Sequence, residues 1–434
     1  MEHILEQAQK VAEQAEVFTI ASEETEVRFE ANRLKHLHTK QQTTVALRII
    51  KDGRIGYATS SQLDNIDQLV RNAVETAQFG MTARFQLPAP SPYPEVAVFD
   101  PAVDSVATET MVNLGEEMIT TVTTHTPGIV CDASISRGMV SVSIINSRGG
   151  QINYQKSLFS LGLEGNLTRD RDMLFVGENQ SSCHPLTSTK TVTEAVLRQL
   201  ELAKNLASVP TRTLPAIFTP NGLASSIIMP LMAAFNGKAV VEGASPLGDK
   251  LGQPVFDNKL SLWDDPTAAY RPSSRPGDDE GVPSQRTPLV TEGVVTNFLY
   301  DLHTAALAKT QSTGNGSRSR GGLPAPAPSA FIIAPGNTTF DEMVQDIKEG
   351  LVIEQVMGAE QGNILGGDFS GNVLLGYKVE NGKIVGRVKN TMVSGNVYQL
   401  LRHIAAIGDE ARWVGSLLHT PHLYCPRLSV ASKD

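Results

Sequence analysis

The sequence predicts an α+β protein with a mostly antiparallel N-terminal sheet, helices packed against it, and a β-rich C-terminal half. Three observations carry this expectation. Much of residues 17–60 alternates apolar with polar side chains or is rich in β-branched residues, as strands are. Segments 2–15, 65–79, 107–125 and 191–207 instead set apolar residues at helical spacing. After Ser208, glycine and proline become frequent and the apolar runs shorten, the composition of strands joined by turns.

Taken in order, Ile4, Ala8, Val11, Ala12 and Ala15 form one face of a short amphipathic helix. Val27, Phe29 and Ala31 then alternate with charged residues, and residues 44–50 are β-branched-rich. Lys51-Asp52-Gly53-Arg54 predicts a hairpin turn, because Asp-Gly tolerates the positive φ angles of a two-residue loop. Ile66, Leu69, Val70, Ala73 and Ala77 mark the next helix. The proline-rich stretch 87–95 reads as a stiff internal crossing. A helix at 107–125 precedes three or four antiparallel strands over 128–177, with Ser147-Arg148-Gly149-Gly150 as one turn. Val192, Ala195, Val196, Leu200, Ala203 and Leu206 share a helical face at 191–207. Residues 1–208 and 209–434 are therefore expected to form two domains. Two long loops, 271–288 and 312–328, are of a length that is usually functional or disordered.

Composition excludes several function classes. The 434 residues carry a net charge of −9 with a pI of about 5.6, which argues against a nucleic-acid partner, since that needs a clustered basic surface. No run of about 18 apolar residues suggests a membrane span. Residues 1–15 have no apolar core of a secretory signal. The three cysteines, Cys131, Cys183 and Cys425, are too scattered for a disulfide framework. A cytoplasmic location with reduced thiols is the expectation.

No nucleophile elbow, phosphate loop or His-Glu-x-x-His helix occurs, and no histidine lies between His184 and His303. His419, His422 and Cys425 stand at spacings of three, which admits a zinc site. On a strand such residues point to opposite faces, and Pro421 and Pro426 oppose a helix there. His36 and His38 share a strand face, but two ligands do not close a zinc site. Asp264-Asp265-Pro266 reads as a turn. The acidic run Asp278-Asp279-Glu280-Gly281 is either a solvated loop or the lining of a cleft that takes a basic group or an amino terminus. Thr313-Gly314-Asn315-Gly316-Ser317-Arg318 is either a mobile loop or a backbone cradle for an anion. Cys131 and Cys425 sit in apolar strand contexts, as inert core thiols do.

Several segments together resemble the TldD/PmbA family. They are Asp52-Gly53-Arg54-Ile55-Gly56-Tyr57-Ala58, Ile145-Asn146-Ser147-Arg148-Gly149, Gly243-Ala244-Ser245-Pro246-Leu247 with Lys250-Leu251-Gly252, and Asp264-Asp265-Pro266. The series continues through Asp278 to Pro283, Glu292-Gly293-Val294, Thr313-Gly314-Asn315, Ala334-Pro335-Gly336, Gly366 to Ser370 and Val379 to Gly382. Their order spans nearly the whole chain.

The resemblance implies a barrel-like C-terminal domain and a choice between two branches. The TldD branch looks like a zinc metalloprotease, with a helix bearing His-Glu and a second His, and a later cysteine. The corresponding segment here, residues 224–235, has neither histidine nor glutamate, and Arg412-Trp413-Val414-Gly415 stands near the place of the family's Cys-Gly-Lys. This places the chain on the PmbA/TldE side, with no catalytic residue and no metal ligand of its own and with zinc in a TldD-type partner. The implied function is a non-catalytic subunit of a complex that cuts unfolded peptides in a closed chamber, holding substrate by strand addition. The family label "modulator of DNA gyrase" goes with it. Asp278, Asp279, Glu280, Gly314 and Asn315 are the expected substrate-facing residues. A homodimer is expected when the chain is alone, with the apolar segment 224–235 supplying part of an interface. Two rivals stand beside this reading. One is a stand-alone peptidase using His419, His422 and Cys425. The other is a binding protein acting on a gyrase–toxin system without proteolysis.

Overall fold

The computed structural model describes residues 1–61, 65–170 and 172–433. Its first half runs α1 (Glu2–Gln9), β1 (Gln14–Glu30), β2 (Arg33–Lys51), β3 (Arg54–Ser60), α2 (Ile66–Ala77), α3 (Thr108–His125), β4 (Val130–Asn146), β5 (Gln151–Arg169), β6 (Asp172–Ser182) and α4 (Lys190–Leu202). The strands form one six-stranded sheet in the order β3-β2-β1-β4-β5-β6, antiparallel at every step. Asp52 and Gly53, at φ 50° and 69°, close the β2–β3 hairpin as its primed turn requires.

Alternation along the strands decides which face is covered. Val17, Val45, Leu47 and Ile49 meet Ile4 and Ala8 of α1 and Leu69 and Ala73 of α2. Val27, Phe29, Ile135, Leu161 and Leu163 meet Met111 and Met118 of α3 and Val192 and Val196 of α4. The reverse face holds a smaller patch of Phe18, Ala46, Val142, Ile144 and Ile152.

Two helices are shorter than their apolar spacing predicts. The first stops at Gln9, because Gln14 onward pairs with β2, starting at Gln14 with Ile50. The fourth stops at Leu202, and Leu206–Ala207 becomes a strand of the second sheet. In both places a ladder of long-range hydrogen bonds overrides local helical periodicity.

The second half runs β7 (Leu206–Ala207), β8 (Arg212–Phe218), α5 (Pro220–Ser226), α6 (Ile228–Ala234), α7 (Gly237–Val241), β9 (Leu262–Asp264), β10 (Thr287–Thr291), β11 (Val294–Val295), α8 (Leu302–Ala308), β12 (Gly316–Ser317), β13 (Ala325–Pro326), β14 (Phe331–Ile333), α9 (Phe340–Asp346), β15 (Glu349–Met357), β16 (Asp368–Glu380), β17 (Lys383–Val388), β18 (Thr391–Asn396), α10 (Val397–Leu400), β19 (Ala406–Val414) and β20 (Leu418–Ser432). Five of these strands close a ring. β20 pairs with β8, β8 with β15, β15 with β16, β16 with β18, and β18 returns to β20. The expected barrel is thus present, with further strands attached to it.

Adjacent residues of the barrel strands serve different cores. Ala216, Phe218, Leu351, Ile353, Leu423 and Cys425 belong to the large C-terminal cluster. Their neighbours Ile217, Val352 and Tyr424 pack in the cluster that contains α3 and α4. The barrel and the helices of the N-terminal sheet therefore share an apolar interior.

The segment 224–235 is two helices, α5 and α6, that break at Ile227. Pro230 sits in the first turn of α6, where its missing N–H prevents α5 from continuing. Ile227, Ile228, Leu231, Ala234 and Phe235 are buried in the chain's own C-terminal core. This corrects the expectation that this apolar face is free for a partner.

Candidate functional site

Two places bring chemistry-bearing side chains together. One is a buried knot of charges between the N-terminal sheet and the long C-terminal loops. The other is an open cleft beside α5.

The knot begins with local turn geometry. Asp278 Oδ1 accepts hydrogen bonds from the backbone N–H of Glu280 (3.0 Å) and Val282 (2.9 Å), and Oδ2 accepts from Gly316 (2.8 Å). Gly281 takes φ 74° to complete the turn. This aims Glu280 at the sheet, where its Oε1 receives Arg48 Nη1 at 2.5 Å, while Oε2 accepts from Leu302 N at 2.7 Å. Arg48 also donates to Glu16 Oε2 at 2.8 Å, and Glu16 pairs in turn with Arg318. Arg318 Nε reaches the carbonyl of Asp279 at 2.9 Å, and Asp279 Oδ2 accepts from Arg318 N at 2.8 Å.

Gly314 and Asn315 close the same knot. A Cβ on Gly314, whose φ is 75°, would lie 2.8 Å from the carbonyl oxygen of Pro283. Asn315 Nδ2 donates to Asp264 Oδ2 at 2.7 Å, and Asp264 Oδ1 accepts from Ser329 N and Ala330 N. The structure thus brings all five sequence-predicted residues, Asp278, Asp279, Glu280, Gly314 and Asn315, into one place. Asp278, Glu280 and Asn315 are fully buried. Both long loops are consequently ordered against the sheet.

Burial dominates the electrostatics of this knot. It pushes Glu280 up to about 8, against the pull of Arg48 and with support from Asp278 and Asp301. It pushes Asp278 up to about 6, opposed by Arg275, and Asp264 to about 6, opposed by its hydrogen bond from Asn315. Arg48 is held above its ordinary value: burial opposes its charge, but Glu16 and Glu280 outweigh that.

The cleft has a volume of about 740 Å³ and lies between the β4–β6 end of the N-terminal sheet and α5 and β15. Thr219 caps α5 through Gly222 N at 3.1 Å. Gly222 lets α5 approach β15, since a Cβ there would be 2.2 Å from the carbonyl oxygen of Ile353. This docking sets Asn221, Ala224 and Ser225 along the cleft wall. Asn221 Nδ2 lies 3.3 Å from Glu178 Oε2 and 3.4 Å from Glu354 Oε1. Arg412 donates to Glu178 at 2.6 Å and stands 3.9 Å from Glu354. Burial raises the Glu354 carboxyl above its usual range, and Arg412 moderates that.

The model described as the PmbA/TldA metallopeptidase C-terminal domain matches residues 211–432, and that of domain 1 matches residues 15–77. The chain belongs to the PmbA/TldD metallopeptidase family. An uncharacterised protein of Methanocaldococcus jannaschii is 27% identical over 417 residues, covering 94% of this chain and 95% of that one. The fold is that of TldE from Thermococcus kodakarensis, with a TM-score of 0.91, 22% identity and all of both chains covered. A Thermotoga maritima protein described as a candidate modulator of a DNA gyrase has the same fold, with a TM-score of 0.89, 22% identity and 99% of both chains covered.

The wall of the cleft beside α5 offers few donors to a metal. Asn221, Ala224 and Ser225 supply no imidazole, thiolate or carboxylate. The nearby carboxylates Glu178 and Glu354 already face Arg412 and the Asn221 amide, so a second cation there meets a guanidinium. These residues do not fit a zinc ion. Among the described residues, no group of three or more His, Cys, Asp or Glu is placed to hold a metal.

The C-terminal histidines and cysteine do not converge. His419 packs on Trp413 with ring centroids 4.9 Å apart, and His422 on Phe340 at 4.7 Å. Burial pushes His422 down to about 4. Cys425 lies in the C-terminal core, with its thiol pushed up to about 12 by burial. His36 and His38 are exposed on β2. The sequence reading missed Glu16 and Arg48 in the knot, held Arg318 only as the end of a candidate anion cradle, and missed Asn221, Glu178, Glu354 and Arg412 at the cleft. Arg48 carried a signal, being the one charge inside the apolar run Val45 to Ile50.

Proposed function

We propose that this chain is the non-catalytic, TldE-like subunit of a TldD/TldE-type zinc metalloprotease, with the zinc held by a TldD-type partner. The two subunits enclose a chamber in which unfolded peptides are cut, and residues 1–208 and 209–434 form the two units of this subunit. The observation that carries the reading is the wall of the cleft. Asn221, Ala224 and Ser225 stand on α5, the helix that overlaps the segment where the TldD branch bears its His-Glu motif. An amide, a methyl and a hydroxyl can line a peptide path, but they do not activate water on a metal. The loops bearing Asp278, Asp279, Glu280, Gly314 and Asn315 form part of the chamber wall, held rigid by Arg48 and Arg318 rather than free to wrap a substrate. Alone, the chain forms a homodimer.

The test is reconstitution. The purified chain, a TldD-type partner and their mixture are assayed on an unfolded fluorescent casein. Activity in the mixture alone, lost when the partner's zinc-site glutamate is replaced, is the expected result. Peptidase activity of the chain by itself, resistant to chelators, overturns the proposal.

A further inference from the structure

The distal half of β2 is an open strand edge. β3 pairs with β2 only over Val45–Lys51. Beyond that, residues 33–43 are exposed throughout while bonded to β1 on one side. Among the described residues no strand pairs with their other side. At a strand's rise this edge is about 35 Å long, and neither proline nor glycine interrupts it. It presents alternating unpaired N–H and C=O groups, which template the addition of another strand.

Its charge is one-sided. Residues 33–43 carry Arg33, Lys35, His36, His38 and Lys40 and no acid, in a chain of net charge −9. The paired side already shows what these cations select. β1 sets Glu26 opposite His38 and Glu24 opposite Lys40. Glu30 stands 3.4 Å from Lys35, and Glu23 accepts from Gln41 at 2.7 Å. An acidic strand thus lies against a basic one, and the basic one is open on its far side. Leu34 and Leu37, each 50% exposed, pair with Phe29 and Val27 across a β-bulge at Lys35 and so project to the same face of the sheet.

We propose that the free edge of β2 accepts an acidic, extended segment of a partner protein as a seventh strand of the N-terminal sheet. Backbone hydrogen bonds supply the affinity, carboxylates beside Arg33, Lys35 and Lys40 supply the selectivity, and Leu34 and Leu37 seat apolar residues on one face. A second copy of this chain is a poor occupant, because β2 against β2 lays two acid-free, cationic strands side by side.

The experiment uses the full chain and a fluorescein-labelled ten-residue peptide alternating Thr or Val with Glu. Fluorescence anisotropy at low salt measures binding, and hydrogen exchange over residues 33–43 locates it. Saturable binding is expected, with alternate amides of 33–43 exchanging more slowly. The Lys35→Glu/Lys40→Glu double variant weakens it about three- to tenfold. N-methylation of alternate peptide amides, which leaves the protein untouched, abolishes it. The proposal is overturned by any of three results: no binding, equal binding of a peptide with Gln in place of every Glu, or protection of 33–43 without peptide in a sample whose mass is that of a dimer. The last assigns the edge to a second copy.

Discussion

The knot and the cleft are both made of carboxylates facing guanidinium groups, yet they differ in where water is. In the knot, Glu16, Arg48, Glu280 and Arg318 have side chains at most 3% exposed, and their charged ends are engaged within the chain. At the cleft, Glu178 and Glu354 line a cavity of about 740 Å³, and Arg412, which pairs with Glu178, is 40% exposed. A buried pair that loses one member leaves an uncompensated charge, whereas water screens a pair at a cavity mouth. The same chemistry is therefore structural in one region and available to a ligand in the other.

This contrast breaks most sharply at Arg48. Arg48→Met removes the cation beside Glu280 and leaves Glu16 with Arg318 alone, and should lower the stability of the chain by about 3–5 kcal/mol in urea unfolding; a change below about 1 kcal/mol would mean that the knot is wet. Next comes Gly222→Ala. With a Cβ 2.2 Å from the Ile353 carbonyl oxygen, α5 must move off β15, at a cost of about 1–3 kcal/mol. Because α5 forms the cleft wall, the same variant should impair peptide cleavage by the reconstituted complex.

The buried carboxyls of the knot also set a pH dependence. Burial raises Glu280 from 4.5 to about 8 and Asp278 from 3.8 to about 6. The folded chain then binds more protons than the unfolded chain between those limits, so stability is greatest at the acidic end of this window and falls as pH rises towards 8. Glu280→Gln should remove most of that slope, measured as urea midpoints from pH 5 to 8. A wild-type stability that climbs over this range refutes the assignment. The smallest effect belongs to the cleft: Glu178→Gln should cost about 0.5–1 kcal/mol, given the exposure of Arg412, while altering peptide cleavage by the complex more than stability.

Local features of both regions were legible in the sequence, and long-range ones were not. The antiparallel sheet was legible because period-two alternation and the Asp52-Gly53 turn are local signals. Asp278, Glu280 and Asn315 stood out in the sequence as an acidic run and a Gly-Asn pair in long loops. Their burial was not. A carboxylate in a loop reads as solvated until Arg48, which is 232 residues away in sequence, is placed 2.5 Å from it. The cleft was illegible for the same reason. Asn221, Glu178, Glu354 and Arg412 come from α5, β6, β15 and β19, and no spacing links them.

By itself, then, the sequence determined most element types of the first half, the Asp52-Gly53 hairpin, and the family. It also determined that the helix segment near residue 224 carries no zinc-binding side chain. Each of these follows from local periodicity, turn chemistry or residue identity. Only the tertiary structure decided that five strands close into a barrel, that α1 and α4 end early, that the apolar face of α5 and α6 turns inward, and that the acidic loop is a buried clasp. Those outcomes depend on long-range pairing and on desolvation, which arise only when distant segments exclude water from one another.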